Sequence, residues 1–299
     1  MKEDKEQSVF ISPSDLVTVT HMNHIIEVQY MQRMNRNARI KKLDKDRYLH
    51  INTGEIKDIK HIENRSESFN SLRQSFKKLR YLINNNFTGK GNELHVTLTY
   101  AENMTDTDRL YRDNDKFIKR LRYKYKNISS VDYLNVIEPQ ERGAWHCHLL
   151  LRFNDLDKIY IPNDEMAKIW GHGFVTIRSL KEVDNIGAYL SAYLTDIELT
   201  EDNIKKLAGT DYRVITKQVD GQKKGFIKGG RLHLYPSGMN LYRKSAGIKF
   251  PVRERMKYGD TKKVVGSEKP HYEKTYSIEN EDFNNIIHYE QYNLKRTSL

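Results

Sequence analysis

Residues 131–153 read VDYLNVIEPQERGAWHCHLLLRF, and this stretch decides the fold. Val131 to Glu138 and Ala144 to Phe153 have the composition of two β-strands. The loop that joins them, Pro139 to Gly143, is short and begins and ends with turn residues. The stretch therefore predicts an antiparallel β-hairpin.

The segments around the hairpin predict further strands and helices. They are a strand at Leu94–Tyr100, a helix at Asp106–Tyr125, a short helix capped by Asn163 or Asp164 and ending at Trp170-Gly171, a strand at Phe174–Leu180 and a helix at Lys181–Leu194. The order β-α-β-β-α-β-α is that of a split βαβ unit with one helix added. We therefore expect an α+β fold, with a ferredoxin-like antiparallel sheet and helices on one face.

The rest of the chain predicts two flanking regions. Residues 1–90 form a helical and hairpin-bearing lead-in packed on a core at residues 91–200, with a hairpin in Arg47–Ile59 and a helix in Ser66–Phe87. Residues 201–299 form a basic accessory region. We expect a helix there at Glu201–Leu207 and strands at Arg231–Tyr235 and His271–Ile278.

Composition narrows the class of protein. The 299 residues are 37% hydrophobic and 30% charged, which is typical of a globular chain. No apolar run approaches the ~20 residues of a membrane helix, and the N-terminus lacks the apolar segment of a secretory signal. A single cysteine, Cys147, excludes a disulfide framework and a multi-cysteine zinc module. These features predict a cytosolic protein.

The net charge of +11 is concentrated in one stretch. Arg213 to Lys263 holds 14 Lys and Arg against 3 Asp and Glu, which equals the excess of the whole chain. Aromatic residues such as Tyr235 and Tyr242 lie among these cations, a pattern that suits a groove binding single-stranded nucleic acid. The candidate DNA-binding residues are Lys217, Lys223, Lys224, Lys228, Arg231, Arg243 and Lys244.

His146 and His148 flank Cys147 on the second strand of the hairpin. Residues i and i+2 of a strand share a face, so the two imidazoles converge while Cys147 points to the other layer. Glu138, near the turn end of the neighbouring strand, adds a carboxylate across the hairpin. Two His and one carboxylate with open positions suit a catalytic divalent cation, Mg²⁺ or Mn²⁺. The alternative is an ordinary surface or core histidine pair.

Tyr189 and Tyr193 are four residues apart in a predicted helix and therefore share one helical face. One interpretation is an aromatic pair that packs on the sheet. The other is a nucleophile, since a tyrosine hydroxyl beside a metal-bound phosphate can attack phosphorus and form a covalent intermediate.

Taken in order, these motifs resemble the HUH endonucleases. The resemblance rests on Leu94–Tyr100, Glu138, His146-Cys147-His148 and Tyr189-x-x-x-Tyr193, with support from Trp170–Phe174 and Lys228–Pro236. It covers roughly residues 45–250 and is strongest to rolling-circle replication initiators of filamentous-type phages and Gram-positive plasmids.

The resemblance implies a role for each site residue. Glu138, His146 and His148 would bind the divalent cation, Tyr189 would be the nucleophile and Tyr193 the second tyrosine of two-tyrosine members. Such proteins nick one strand of single-stranded or extruded origin DNA, keep the 5′ phosphate on tyrosine and leave a 3′ hydroxyl for a polymerase. The family often carries lysines where this chain has Ala192 and Asp196, so another cation is expected in their place.

Two other functions fit part of the sequence. The same chemistry serves plasmid mobilisation or transposition, and a non-catalytic single-stranded nucleic-acid-binding protein would explain the charge alone. The chain has no G-x-x-x-x-G-K-[ST] motif, so we expect a host or co-encoded helicase to act with the polymerase.

Overall fold

The computed structural model describes residues 9–33, 40–59, 69–140, 142–181, 183–200, 213–219, 222–228, 230–231, 234–236, 239–280 and 283–296. The chain divides into two compact units: a continuous unit, Asn64–Phe250, and a second unit that combines Met1–Glu63 with Pro251–Leu299. The expected boundaries at residues 90 and 200 do not coincide with this division. The helix before residue 90 and the strands just after residue 200 both belong to the continuous unit.

A five-stranded antiparallel sheet forms the centre of the continuous unit. From edge to edge its strands are β13 (Tyr242–Lys244), β7 (Val131–Pro139), β8 (Trp145–Phe153), β6 (Glu93–Thr99) and β9 (Val175–Ser179). Strands β7 and β8 form the predicted hairpin, and β8 inserts between β7 and β6 as the split βαβ unit requires. The α+β, ferredoxin-like prediction is confirmed, and β13 adds a fifth strand.

Helices pack on both faces of this sheet. The two helices of the split βαβ unit, α2 (Thr107–Tyr125) and α3 (Asn163–Trp170), share one core with alternate residues of β6 and β8, such as Val96 and Cys147. On the opposite face, α1 (Phe69–Asn86) and α4 (Ile186–Thr195) pack against Leu134, Val136 and Leu150. This second helical layer is additional to the expected one, and it covers the face from which His148 projects.

Two helix starts differ from the sequence prediction. Helix α4 begins at Ile186 rather than Lys181, because the side chain of Asn185 accepts a hydrogen bond from the Ala188 amide at 3.0 Å and acts as an N-cap. Helix α3 begins after Pro162, and the expected cap Asn163 instead accepts a hydrogen bond from the Ile177 amide of β9.

The basic region of the continuous unit contains a three-stranded sheet. Its strands lie in the order β10 (Ile197–Glu198), β12 (Gln222–Lys228) and β11 (Arg213–Val219). The predicted helix at Glu201–Leu207 falls outside the described residues. The expected strand at Arg231–Tyr235 is wrong at its described positions, where the Leu234 amide bonds back to the Arg231 carbonyl in a turn.

The second unit is built on another five-stranded sheet. In order its strands are β14 (Val252–Lys257), β1 (Leu16–Met22), β2 (Ile25–Met31), β16 (Phe283–Asn293) and β15 (Tyr272–Asn280). A short helix, α5 (Lys262–Val265), packs its valines on the Val17 and Val19 face. The predicted strand at His271–Ile278 is confirmed as β15. The hairpin predicted in Arg47–Ile59 is confirmed as β4 (Arg47–His50) paired with β5 (Ile56–Asp58), and β4 also pairs with β3 (Ile40–Lys42).

Candidate metal centre

The β7–β8 hairpin brings Glu138, His146 and His148 together. Glu138 lies directly opposite His146, and His148 lies opposite Val136, so all three side chains project from one face. Oε2 of Glu138 is 2.6 Å from Nε2 of His148 and 3.9 Å from Nδ1 of His146. Each residue offers one ligand atom that lies within 4.8 Å of the other two. The chain folds this way because the same face is apolar at Leu134 and Leu150 and becomes polar only toward the turn.

The ionisation of the site suits a divalent cation. Burial lowers the pKa of His146 to about 4, which leaves its imidazole neutral near pH 7. Burial alone would raise the pKa of Glu138, but the hydrogen bond from His148 and the charge of Arg231 bring it below its ordinary value. Nε2 of His146 is buried and has no hydrogen-bond partner among the described residues. Two imidazoles and one carboxylate, with an unused buried nitrogen, form a donor set that fits a divalent metal ion.

His95 supports His148 from the neighbouring strand, and the sequence analysis missed it. Its side chain is 5% exposed, and its Nε2 lies 3.2 Å from Nδ1 of His148. Thr97 Oγ1 is 3.3 Å from the same nitrogen, and the two imidazole rings stack with centroids 5.5 Å apart. Burial lowers the pKa of His95 to about 3, so its ring is neutral and can accept a hydrogen bond. With a proton on Nδ1 held by His95 or Thr97, His148 presents the lone pair of Nε2 to a metal ion.

Replacing His95 with alanine is expected to weaken Mn²⁺ binding about 10–100-fold, since residues that orient a metal-bound imidazole typically contribute that much. His95→Gln is the matched variant, because its amide oxygen reaches the position of Nε2 and should restore most of the affinity. Isothermal titration of the full-length protein with Mn²⁺ measures both. Equal affinity in the wild type and a correctly folded His95→Ala variant would contradict the role.

Arg231 joins the site from a distant part of the chain. Its Nη1 donates to Oε1 of Glu138 and, at 3.4 Å, to the Pro139 carbonyl. Its Nε donates to the carbonyl oxygen of Asp196 at 3.0 Å. The sequence analysis placed Arg231 among the DNA-binding residues; the structure places it against a candidate metal ligand, with a side chain only 19% exposed.

Tyr235 fixes the end of α4 on the sheet. Its hydroxyl lies 3.1 Å from the carbonyl oxygens of both Ile137 and Leu194, between which it donates its hydrogen. The ring is 1% exposed, so the expectation that Tyr235 stacks on bases is wrong. Together with Arg231, Tyr235 holds the C-terminal end of α4 beside the strand that carries Glu138.

The candidate nucleophiles both lie on α4. Tyr189 is half-buried and packs against the apolar cluster that includes Val136 and Leu150, on the sheet face that bears the metal-ligand candidates. Tyr193 is one turn closer to Leu194 and Asp196, and its side chain lies outside the described part of the structure.

The other candidate DNA-binding residues are spread over two sheets. Lys223 on β12 is exposed, and Lys224 pairs with Glu198 at 3.1 Å. On β13, Arg243 pairs with Asp115 at 3.1 Å, while Lys244 donates to the Ile248 carbonyl at 2.8 Å and so serves the fold. The side chains of Lys217 and Lys228 lie outside the described residues.

Cys147 faces away from the site, as the strand alternation predicts. It is fully buried beneath α2, where Asn114 Nδ2 contacts its sulfur at 3.0 Å, and burial raises the pKa of its thiol to about 12. Because the thiolate is the reactive form, we expect a disulfide reagent such as DTNB to leave the native protein unmodified and to label one thiol after unfolding in guanidinium. Rapid labelling of the native protein would contradict this placement.

Comparison with known proteins supports a role in replication. Residues 93–198, roughly a third of the 299-residue chain, match the model of a family described as Replication-associated protein ORF2. The match runs from β6 to β10 and includes Glu138, His146, His148 and Tyr189. It supports a replication-associated protein of the Rep type that interacts with DNA.

No curated protein and no solved structure matches the chain significantly. Within the described ranges, no helix combines the length and the apolar character needed to cross a membrane.

Proposed function

We propose that this protein initiates rolling-circle replication by nicking and rejoining one strand of DNA at an origin, through a covalent 5′-phosphotyrosine on Tyr189. The observation that carries the proposal is the cluster of Glu138, His146 and His148 on the sheet face against which α4 packs. The match to a replication-associated family over the same residues supports it. We place the protein in the cytoplasm, with single-stranded or extruded origin DNA as its substrate.

The three side chains would hold Mg²⁺ or Mn²⁺ with positions left open for substrate. When bound, such an ion polarises a non-bridging phosphate oxygen and orients the scissile bond. Three protein ligands with two different donor types leave the site open, whereas a structural zinc site is closed by four ligands that usually include sulfur. The only cysteine, Cys147, points away from the site.

The bond changes in the proposed reaction balance within the protein and its substrate. The hydroxyl oxygen of Tyr189 attacks the phosphorus, and a phosphorus–oxygen bond to tyrosine forms. The bond from phosphorus to the 3′ oxygen breaks, and the 3′ oxygen takes up a proton while the phenol loses one. The reverse attack by a 3′ hydroxyl rejoins the strand and frees the tyrosine.

Arg231 is the cation that we assign to the position of the absent family lysines. Asp196 stands where the second of these lysines is expected, and the guanidinium of Arg231 bonds to its carbonyl oxygen and to Glu138. No partner for Nη2 is found among the described residues, so this nitrogen can donate to a phosphate oxygen. A fixed guanidinium at this position would stabilise the charge that develops on the phosphate during transfer.

The products define the partners. A nick that leaves a 3′ hydroxyl requires a polymerase to extend it, and strand displacement requires a helicase. We assign both activities to host or co-encoded proteins.

The test uses labelled single-stranded oligonucleotides tiled across the replicon that encodes the protein, incubated with Mn²⁺ or with chelator and separated on denaturing gels. We expect one tile to give a metal-dependent, SDS-resistant protein–DNA adduct together with a free 3′ hydroxyl fragment. Binding without an adduct on every tile would favour the non-catalytic alternative. Adducts only at a transfer origin or an element end would favour mobilisation or transposition.

A further inference from the structure

The sheet of the second unit has one face that carries most of its positive charge. Strand pairing aligns Arg255, Thr18, Gln29, Tyr289 and Lys274 in a single row across β14, β1, β2, β16 and β15. Directly opposed residues of paired strands project from the same face. We call the part of this face formed by the row and its exposed neighbours Arg253, Lys257 and Tyr276 the basic face.

Strand alternation separates the two signs of charge. Arg253, Arg255 and Lys257 occupy alternate positions of the edge strand β14 and are all exposed, while Glu254 projects from the opposite face and pairs with His21. On β15, Lys274 belongs to the basic face and its neighbour Glu273 to the other. No ion pair is seen for Arg253 or Arg255 within the described parts of the chain. These two guanidinium groups are therefore available to an anionic partner.

Aromatic rings lie beside these cations. Tyr276 and Tyr289 stack with ring centroids 5.9 Å apart and an interplanar angle of 20°, and both are half-buried. The ammonium of Lys274 lies 6.0 Å from the ring centroid of Tyr276. Cations at both edges of a sheet, with tyrosines on its open surface, are the groups that bind phosphates and stack on bases.

The basic face has a limit on one side. The next row includes Thr20, Glu27 and Gln291, which are buried. A ligand is therefore restricted to the row of Arg255 and Lys274 and to the side on which Lys257 and Tyr276 lie.

We propose that the basic face binds single-stranded DNA, with phosphates on the arginines of β14 and bases against Tyr276 and Tyr289. This surface lies outside residues 93–198, which match the replication-associated family, and outside the candidate metal centre. It gives the second unit a function of its own: it would hold a strand independently of the chemistry at Tyr189.

The experiment compares two charge-matched double variants of the full-length protein. Arg253→Gln/Arg255→Gln removes two cations from the basic face, and Lys262→Gln/Lys263→Gln removes two exposed cations from α5, which packs on the opposite face. Fluorescence anisotropy with an oligothymidylate of about 20 nucleotides, long enough for one sheet, gives Kd over a range of salt.

We expect the arginine variant to raise Kd about 10-fold near 0.1 M salt and to reduce the slope of log K against log salt by about 1.4, or about 0.7 for each lost phosphate contact. The α5 variant should change neither quantity appreciably. Equal effects of the two variants, or none, would overturn the proposal. Tighter binding of a duplex of the same length would overturn the single-stranded assignment.

Two further measurements separate stacking and catalysis from charge. Tyr289→Ala should raise Kd by about 10-fold through the loss of stacking, and Tyr289→Phe should bind like the wild type. Adduct formation with a saturating origin oligonucleotide should keep its wild-type rate in Arg253→Gln/Arg255→Gln. A protein that forms no adduct but shows the expected anisotropy changes would contradict the proposed function and leave the basic face supported.

Discussion

Replacing Tyr189 with phenylalanine is expected to abolish adduct formation and strand cleavage, with a loss of at least about 10³-fold in single-turnover rate, the scale seen when a nucleophile is removed. Phenylalanine keeps the ring that packs against Val136 and Leu150 and removes only the attacking oxygen. DNA binding and the thermal unfolding temperature should therefore stay close to the wild type. The rate is measured by quenching Mn²⁺-dependent reactions on the origin oligonucleotide and resolving the products on denaturing gels.

Tyr193→Phe is the matched control on the same helix. We expect it to keep the first cleavage and to affect only a second transfer, which a branched substrate carrying two cleavage sites would reveal. The outcome that would reverse the assignment is cleavage retained in Tyr189→Phe and lost in Tyr193→Phe. The comparison is informative because the end of α4 held by Tyr235 and Arg231 is closer along the helix to Tyr193.

The hairpin and its metal ligands follow from local sequence. Strand alternation alone places His146 and His148 on one face and Cys147 on the other, and a short loop sets Glu138 opposite His146. The order of strands and helices similarly predicts the split βαβ sheet. These inferences succeed because each depends on residues that are close together in the chain.

The remainder of the site depends on contacts between distant residues. His95 reaches His148 only because β6 pairs with β8 in one register, with Thr97 opposite His148. The alternation of His95 and Thr97 with buried apolar residues signals a polar face, but no local pattern gives that register. Arg231 is 93 residues from Glu138, and its basic surroundings favour a nucleic-acid contact over an internal ion pair.

The second unit shows the same limit at larger separation. Strand β1 pairs with β14, so Thr18 lies opposite Arg255, and β2 pairs with β16. A sheet assembled from the two ends of a chain leaves no signal in the order of neighbouring elements, which is why the division into units was not predicted.

Replacing Arg231 with glutamine is expected to lower the single-turnover cleavage rate by about 10²–10³-fold at saturating Mn²⁺, the range found when one donor to a developing negative charge is removed. Arg231→Lys is the matched control, since it keeps the charge and loses the two-pronged geometry that bonds both Glu138 and the Asp196 carbonyl. We expect its rate to fall between those of the wild type and Arg231→Gln.

The Mn²⁺ affinity of Arg231→Gln decides between two roles for this residue. A guanidinium beside a metal ligand repels a second cation, so its removal should leave Mn²⁺ affinity unchanged or increase it, as titration calorimetry would show. If Arg231 acted only by orienting Glu138, the affinity would fall and added Mn²⁺ would restore the rate. A slow reaction with a fully loaded site instead means that the lost charge acted on the DNA phosphate, in the position where the family carries lysine and this chain carries Asp196.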